Sequence, residues 1–205
     1  MMSNLTKLRL ALYLGVIALF SACSGTGGGS NQAARTSQPL QTGYPAAVVT
    51  AQQLVAEKHS IAESQVQVRD YKAQNWSNDC LDFPIVGEEC LDESIPGFVG
   101  VVSVSNTQYE FRADEAGELI RLIPEAALLA RQTLAQQINL SDEEIIFAGF
   151  EELEWADTCL EIIREGITCS TETTPGYLIF LLAGDSLVEY HTNLSGDLIL
   201  AVNSP

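Results

Sequence analysis

Basic residues are scarce in this 205-residue chain, which has 10 lysines and arginines against 27 aspartates and glutamates and a formal net charge of −17. A surface of this charge repels phosphate groups, which argues against nucleic acid as a partner and against electrostatic docking on anionic lipids. An acidic surface keeps a protein soluble, and it also suits a basic partner or loosely bound cations. The composition alone does not decide between an acidic surface that only maintains solubility and one that binds a basic partner or cations.

Histidine is scarce too, since only His59 and His191 are present. A serine or cysteine nucleophile would need one of them as its base. We expect His59 at the border of a core, and His191 to be exposed or hydrogen-bonded on a strand. Motifs of serine hydrolases, zinc proteases and phosphate loops are missing. We therefore predict no catalytic residue, metal ion or cofactor, and a protein that is not an enzyme.

No apolar run reaches the roughly 20 residues that a membrane-spanning helix needs. An apolar run at 10–20 follows two basic residues and is followed by Ser21, Ala22 and Cys23. This arrangement resembles a bacterial lipoprotein signal, which implies a signal peptide over 1–22 and acylation of Cys23. The lipid on Cys23 would then attach the protein to a membrane. Phe20 departs from the leucine usual in this motif, so secretion without lipid and an uncleaved anchor remain alternatives.

Large apolar side chains are almost missing from residues 23–43, which are rich in glycine, serine and glutamine. Such a segment cannot bury enough surface to order itself and is predicted to be a flexible tether. Its expected end-to-end distance is about 25 Å, from about 5 to 6 Å times the square root of its length.

Cleavage before Cys23 would leave 8 basic and 27 acidic residues, a net charge of −19.

The remainder of the chain contains one sequence unit written twice, 79 positions apart and without a gap. The repeated residues are Trp76, Cys80, Leu81, Gly87, Cys90, Pro96 and Gly97 in the first copy and Trp155, Cys159, Leu160, Gly166, Cys169, Pro175 and Gly176 in the second. A period of this length is about that of a small domain and exceeds that of solenoid repeats. We predict two tandem modules, at 44–122 and 123–205.

Each module is predicted to contain one helix followed by four strands. Apolar residues recur at helical spacing after Pro45 and Pro124, and the later segments alternate apolar and polar residues or are β-branched. The predicted helices are 46–59 and 125–138, and the predicted strands are 65–73, 97–105, 109–113 and 118–122, then 144–152, 176–183, 187–192 and 197–202. Short turns connect the last three strands of each module, which indicates an α+β fold with the helix packed on an antiparallel sheet.

The other four cysteines fall as one pair in each module. An exported chain lies in a compartment where disulfides persist, and four cysteines allow three connectivities. The repeat symmetry favours the local pairs, Cys80 with Cys90 and Cys159 with Cys169. On the chain-entropy account, each such bond stabilises its module by about 3 kcal/mol.

The signature of Trp, Cys, Leu, Cys and Pro-Gly resembles a repeat without assigned function in exported proteins and lipoproteins of cyanobacteria and Chloroflexi. Trp155, Cys159, Cys169, Tyr177 and Gly196 carry the resemblance, which is weaker in the first module. Both modules also carry an acid after the leucine, where this resemblance leads us to expect glycine; these acids are Asp82 and Glu161. The layout is also similar to β-lactamase inhibitory proteins and PepSY-type domains, which bears on fold alone.

The segments 81–95 and 160–174, which we call the first and second stapled loops, differ strongly in sequence between the modules. A disulfide-constrained loop binds well because little conformational freedom is lost on binding. A tryptophan packed on a disulfide is also a common core filler, so the signature has a purely structural interpretation. If the loops bind a partner, the expected contact residues are Phe83, Ile85, Ile162, Ile163 and Arg164.

Carboxylates are abundant, and the run Asp142-Glu143-Glu144 has the composition of a calcium site. It lacks the alternating spacing of a calcium loop, so a solvated turn is the better interpretation. We predict an extracytoplasmic, lipid-anchored binding protein of the cell envelope, an inhibitor or sensor of a secreted enzyme or envelope component, with a protein partner. The alternatives are a non-specific acidic surface lipoprotein and a hydrolase that uses paired carboxylates.

Overall fold

The structure is a computed structural model that describes residues 43–202. The predicted signal peptide, Cys23 and the predicted tether except its last residue lie outside the described residues. No helix within 43–202 is long and apolar enough to span a membrane.

The first module consists of one helix and a four-stranded antiparallel sheet. Helix α1 spans Ala46–Lys58, and the strands are β1 (Gln67–Trp76), β2 (Ile95–Val104), β3 (Thr107–Asp114) and β4 (Ile120–Pro124). The strands are hydrogen-bonded in chain order, β1-β2-β3-β4, so β1 and β4 are the two edges. The alternation predicted from the sequence is clearest in β3, where every second residue is buried.

The second module repeats this arrangement. Helix α2 spans Glu125–Ile138, and the strands are β5 (Ile145–Trp155), β6 (Thr174–Ala183), β7 (Ser186–Asn193) and β8 (Ile199–Ala201), again paired in chain order. The predicted α+β fold of two modules, each with one helix on a four-stranded antiparallel sheet, is therefore confirmed. Strand β4 continues two residues beyond the boundary predicted at Leu122, and α2 follows it without a linker.

Each helix packs its small apolar residues on one face of its sheet. In the first module, Ala47, Ala51 and Val55 of α1 are fully buried against residues of β2 and β3. In the second module, Ala127, Ala130 and Leu134 of α2 have the same role. Alanines let a helix approach the sheet closely, which is why two modest helices suffice to cover both cores.

Candidate functional site

The cysteines pair within the modules. Cys80 is bonded to Cys90 and Cys159 to Cys169, and the Cα atoms of each pair are 5.5 Å apart. The local connectivity predicted from the repeat is therefore present, and the two connectivities that would join the modules are not. An aspartate lies close to each pair. Because the sulfur atoms are engaged in disulfides, they offer no thiolate to a metal ion.

The two tryptophans fasten the base of each loop to the sheet. Trp76 donates a hydrogen bond from Nε1 to the carbonyl oxygen of Ala113, and Trp155 donates the same bond to Thr192, both at 2.9 Å. The indoles are 3% exposed, as the structural interpretation of the signature requires. The glycine of each Pro-Gly pair lies under this bond, and a Cβ there would collide with the accepting carbonyl.

Each loop begins with two consecutive residues in the left-handed region. Leu81 and Asp82 have φ values of 57° and 52°, and Leu160 and Glu161 have 57° and 60°. This explains the expectation of glycine after the leucine, because only glycine adopts this conformation without strain. The acid present instead is used locally, since its carboxylate accepts a hydrogen bond from the amide five residues upstream, at 2.9 Å for Asp82 and 3.0 Å for Glu161.

A basic side chain on the third strand of each module holds the same turn. Arg112 donates from Nη1 to the carbonyl oxygens of Leu81 and Asp82 at 3.3 and 2.8 Å, and from Nε to Glu110 at 2.7 Å. Its counterpart His191 is 9% exposed. The Nδ1 atom of His191 is 2.6 Å from the Leu160 carbonyl oxygen, and Nε2 is 2.9 Å from Glu189. Both ring nitrogens thus have an oxygen atom within hydrogen-bonding distance.

His191 also stacks on the indole of Trp155, with ring centroids 4.0 Å apart and planes inclined by 20°. His191 is therefore hydrogen-bonded on a strand, which is one of the two environments that the sequence predicted. His59 is half-buried, and its Nε2 is 2.9 Å from the hydroxyl of Tyr109. Both histidines within the described chain therefore have structural partners.

The first stapled loop is docked on the second module. Phe83 is 2% exposed and belongs to the second module's core, where its ring stacks on that of Phe147 with centroids 4.7 Å apart. The prediction that Phe83 is an exposed contact residue is wrong, because an aromatic face on the neighbouring module covers it. Ile85 is half-buried and packs against the same core, so its predicted exposure is corrected as well.

The docked loop also extends the second sheet. Ile85 pairs with Phe147 in a parallel bridge at the free edge of β5, and the amide of Val86 donates to the carbonyl oxygen of Phe147 at 2.8 Å. In the middle of the loop, Glu88 forms an ion pair of 2.8 Å with Arg121 of its own module. The loop thus combines an inserted aromatic ring with addition to a sheet edge, a common mode of peptide recognition.

The second stapled loop has the same base and no surface to dock on within the described chain. Ile163 is 99% exposed and Ile167 is 52% exposed, while Arg164 is exposed and Ile162 half-buried. Ile162 occupies the position of Phe83, and Arg164 that of Ile85. Ile163 and Arg164 therefore lie on the surface as predicted, whereas the predicted exposure of Ile162 is corrected, as for Ile85. The disulfide, the tryptophan and His191 hold the base of this loop.

A second contact between the modules is polar. The hydroxyl groups of Tyr109 and Tyr177 are 3.1 Å apart, and both rings are 1% exposed. Burial raises the pKa of Tyr109 to about 12. Burial, and then the hydrogen bond with Tyr109, also raise the pKa of Tyr177. At the rim, Lys58 and Glu152 form a surface ion pair of 2.8 Å.

A cleft of about 520 Å³ lies between the base of the first stapled loop and the second module. Arg112 of β3 and Arg131 of α2 both line it, and each guanidinium lies over the ring of Phe83, at 5.3 and 5.8 Å from the ring centroid. Arg131 also lies 5.3 Å from the centroid of Phe147. Burial lowers the pKa of Arg131, and the positive charge of Arg112 lowers it further.

The acidic run predicted as a turn forms one wall of this cleft. Asp142–Glu144 is a single turn of 3₁₀ helix, and Glu144 accepts hydrogen bonds from the amide and hydroxyl of Ser141 at 2.9 and 3.0 Å. These bonds lower the pKa of Glu144. Asp142 and Glu143 line the cleft. The run is therefore a capped turn, as predicted, and two of its carboxylates face a hollow that the sequence did not indicate.

Sequence reasoning missed Arg131 and the tyrosine pair. Arg131 aligns with Gln52 of the first helix, which is buried and donates to the backbone carbonyls of Glu63 and Val66 at 3.0 and 2.9 Å. The available signal in the sequence was a polar residue beside the apolar stripe of both helices, Gln52 in the first and Arg131 in the second. Tyr109 and Tyr177 do not align with each other, so the repeat gave no indication of their contact.

The family comparison agrees with the duplication. The sequence model of the family described as "Domain of unknown function (DUF8738)" matches residues 48–122 and again residues 127–201. No curated protein and no solved structure matches the chain. The similarity in layout to β-lactamase inhibitory proteins and PepSY-type domains therefore remains an expectation from the sequence.

Proposed function

The chain belongs to the DUF8738 family, whose domain has no assigned function and occurs here twice in tandem. We propose that the protein is an extracytoplasmic binding protein and that its second stapled loop docks on a protein partner. One observation carries the proposal. Ile163 is 99% exposed on a loop that a disulfide, a buried tryptophan and a histidine hold in place. A large apolar side chain held rigidly in water loses little freedom on binding and gains about 1.5 to 3 kcal/mol when fully buried.

The first stapled loop supports this proposal as an internal precedent. The same scaffold presents Phe83 and Ile85 to an aromatic surface and an open strand edge, and both become covered there. The proposed partner of the second loop offers the same features, namely an unpaired strand edge with an apolar hollow beside it. Glu161, Arg164 and Glu165 flank Ile162 and Ile163 in the sequence, so the proposed partner carries mainly basic groups at its rim.

We further propose that the protein acts at the cell envelope, attached through a lipid on Cys23. The support is the apolar run and small residues before Cys23, and the two disulfides, which persist in oxidising compartments. In this arrangement the tether of residues 23–43 lets the modules reach a partner near the membrane. Cys23→Ser should release the protein into the soluble fraction or leave it unprocessed. Unchanged acyl labelling and membrane recovery would contradict the anchor.

The proposal is binding without catalysis. The histidines have structural hydrogen bonds and the module cysteines are joined in disulfides, which supports this view for the described residues. A non-specific acidic surface lipoprotein would have no use for a rigid apolar loop tip. If the protein were a carboxylate-based hydrolase, its activity would be lost on substitution of acidic residues such as Asp142 and would be unaffected by substitution of Ile163.

The test is capture of a partner by variants of the second loop. The protein carrying both Ile163→Ser and Arg164→Ser is immobilised, exposed to envelope extract of the source cells and compared with the unchanged protein. We expect the double variant to keep its melting temperature within about 2 °C, since exposed substitutions change stability by only about 0.5 kcal/mol. It should lose the proteins that the unchanged chain retains.

The matched control is Leu187→Ser, which removes an apolar side chain that is 59% exposed from the same module outside the loop. This variant should retain the captured proteins. If the loop variant captures them equally well, or if the control loses them too, the second loop is not the docking site. If the loop variant unfolds, Ile163 or Arg164 has a structural role and the proposal fails.

A further inference from the structure

We propose that the cleft between the modules binds a small organic molecule with a single carboxylate on an apolar body, and that Arg131 and Arg112 hold the carboxylate. This site is separate from the second stapled loop and does not depend on the function proposed for it. The inference rests on the arrangement of four groups around the cleft of about 520 Å³, a volume in the usual range of ligand pockets.

The first group is the guanidinium of Arg131. Its Nε atom is buried and has no hydrogen-bond partner among residues 43–202, and Arg131 forms no ion pair within that range. A buried donor left without a partner costs about 1 to 3 kcal/mol. The aromatic rings of Phe83 and Phe147 contact the guanidinium group through cation–π interactions and supply no hydrogen-bond acceptor. Arg131 is thus positioned and lacks an acceptor.

The second group is Arg112, which brings a like charge to the same cleft. Its Nε and Nη1 atoms are used by Glu110 and by the loop carbonyls, which leaves Nη2 without a hydrogen bond to the described residues. The guanidinium groups of Arg112 and Arg131 both lie near the ring of Phe83, so their positive charges repel each other, and an anion that contacts both groups relieves this repulsion. A carboxylate is the natural anion for this task because its two oxygens match the geometry of guanidinium donors.

The other two groups select the class of anion. Apolar side chains, among them Phe83, Ile145 and Phe147, form part of the lining and favour a ligand with a hydrocarbon or aromatic body. Asp142 and Glu143 line the same cleft and repel additional negative charge. A phosphate or a polyanion would meet these carboxylates, whereas one carboxylate can contact the arginines and point its apolar body at the rings.

The probe is 3-phenylpropionate, titrated calorimetrically into the full-length protein at low ionic strength, with 3-phenylpropionamide as the uncharged analogue. We expect saturable binding of the acid and at least about tenfold weaker binding of the amide, since a charge-assisted hydrogen bond is worth a tenfold change or more. Arg131→Gln should lower the association constant by about tenfold, and Arg131→Lys should restore part of it. Inorganic phosphate should bind more weakly than the acid.

Two further variants keep the test decisive if Arg131→Gln proves unstable. Glu143→Gln removes an exposed negative charge at the cleft and should strengthen binding of the acid, while leaving the amide unaffected. Arg164→Gln removes the same type of charge from the second loop and should leave the association constant unchanged. Absence of saturable binding, equal binding of acid and amide, or equal effects of Arg131→Gln and Arg164→Gln would each overturn the proposal.

Discussion

Phe83 of the first module stacks on Phe147 of the second, with ring centroids 4.7 Å apart and ring planes inclined by 29°. The two residues lie on opposite sides of the module boundary, and Phe83 is counted among the core residues of the second module. The two copies of the repeat are therefore coupled through a loop, and this coupling gives different environments to loops that share one scaffold.

The first prediction concerns that contact. Phe83→Ala should lower the free energy of unfolding by about 3 to 5 kcal/mol, the usual cost of removing a buried aromatic ring. Urea unfolding followed by tryptophan fluorescence measures the loss. The control is Ile162→Ala at the equivalent, half-buried position of the second loop, which should cost clearly less. Equal costs for the two variants would contradict the docking of the first loop.

The second prediction concerns pH and the tyrosine pair. The pKa of Tyr109 is raised by burial to about 12, above its ordinary value of 10.0, so the unfolded state loses this proton first as pH rises. The burial of neutral Tyr109 therefore contributes fully to the free energy of unfolding below pH 10. This contribution falls by about 1.4 kcal/mol per pH unit between pH 10 and pH 12. Tyr177, whose pKa is also raised, adds to the same loss.

Melting temperature measured against pH, together with tyrosinate absorbance, checks this prediction. The double variant with Tyr109→Phe and Tyr177→Phe should show a shallower decline of stability between pH 10 and 12 than the unchanged protein. Tyr71→Phe is the control, because Tyr71 is half-buried and outside the pair. An unchanged slope in the double variant would show that the pair does not resist ionisation.

The third prediction concerns the left-handed turn at the start of the second loop. Glu161→Ala should destabilise the protein by about 1 to 2 kcal/mol, because alanine keeps the strain of a positive φ and loses the hydrogen bond to the upstream amide. Glu161→Gly loses the same bond but relieves the strain, so it should be more stable than the alanine variant. Thermal unfolding of both variants decides the order, and an alanine variant as stable as the glycine variant would contradict it.

Much of the fold followed from local patterns. The 79-residue register placed both helices, all eight strands and the local cysteine pairs, because each depends on residues near in sequence and on a unit repeated without a gap. The alternation in β3 and the small residues at helical spacing in α2 report directly which face is buried. The resemblance to the exported repeat led us to expect glycine after each leucine. The structure explains this expectation, because Asp82 and Glu161, which stand there instead, have positive φ values.

By itself, the sequence determined the two modules, their order of helix and strands, their stapled loops and their acidic charge. Only the tertiary structure decided which loop is covered and which is exposed. Phe83 and Ile162 occupy equivalent positions, but Phe83 is buried against Phe147 of the other module, whereas Ile162 stays half-buried. The arginine cleft arises in the same way, since Arg112 and Arg131 belong to different modules and both contact Phe83, whose loop docks on the second module. Burial depends on what lies across a surface, and a repeat pattern contains no information about that neighbour.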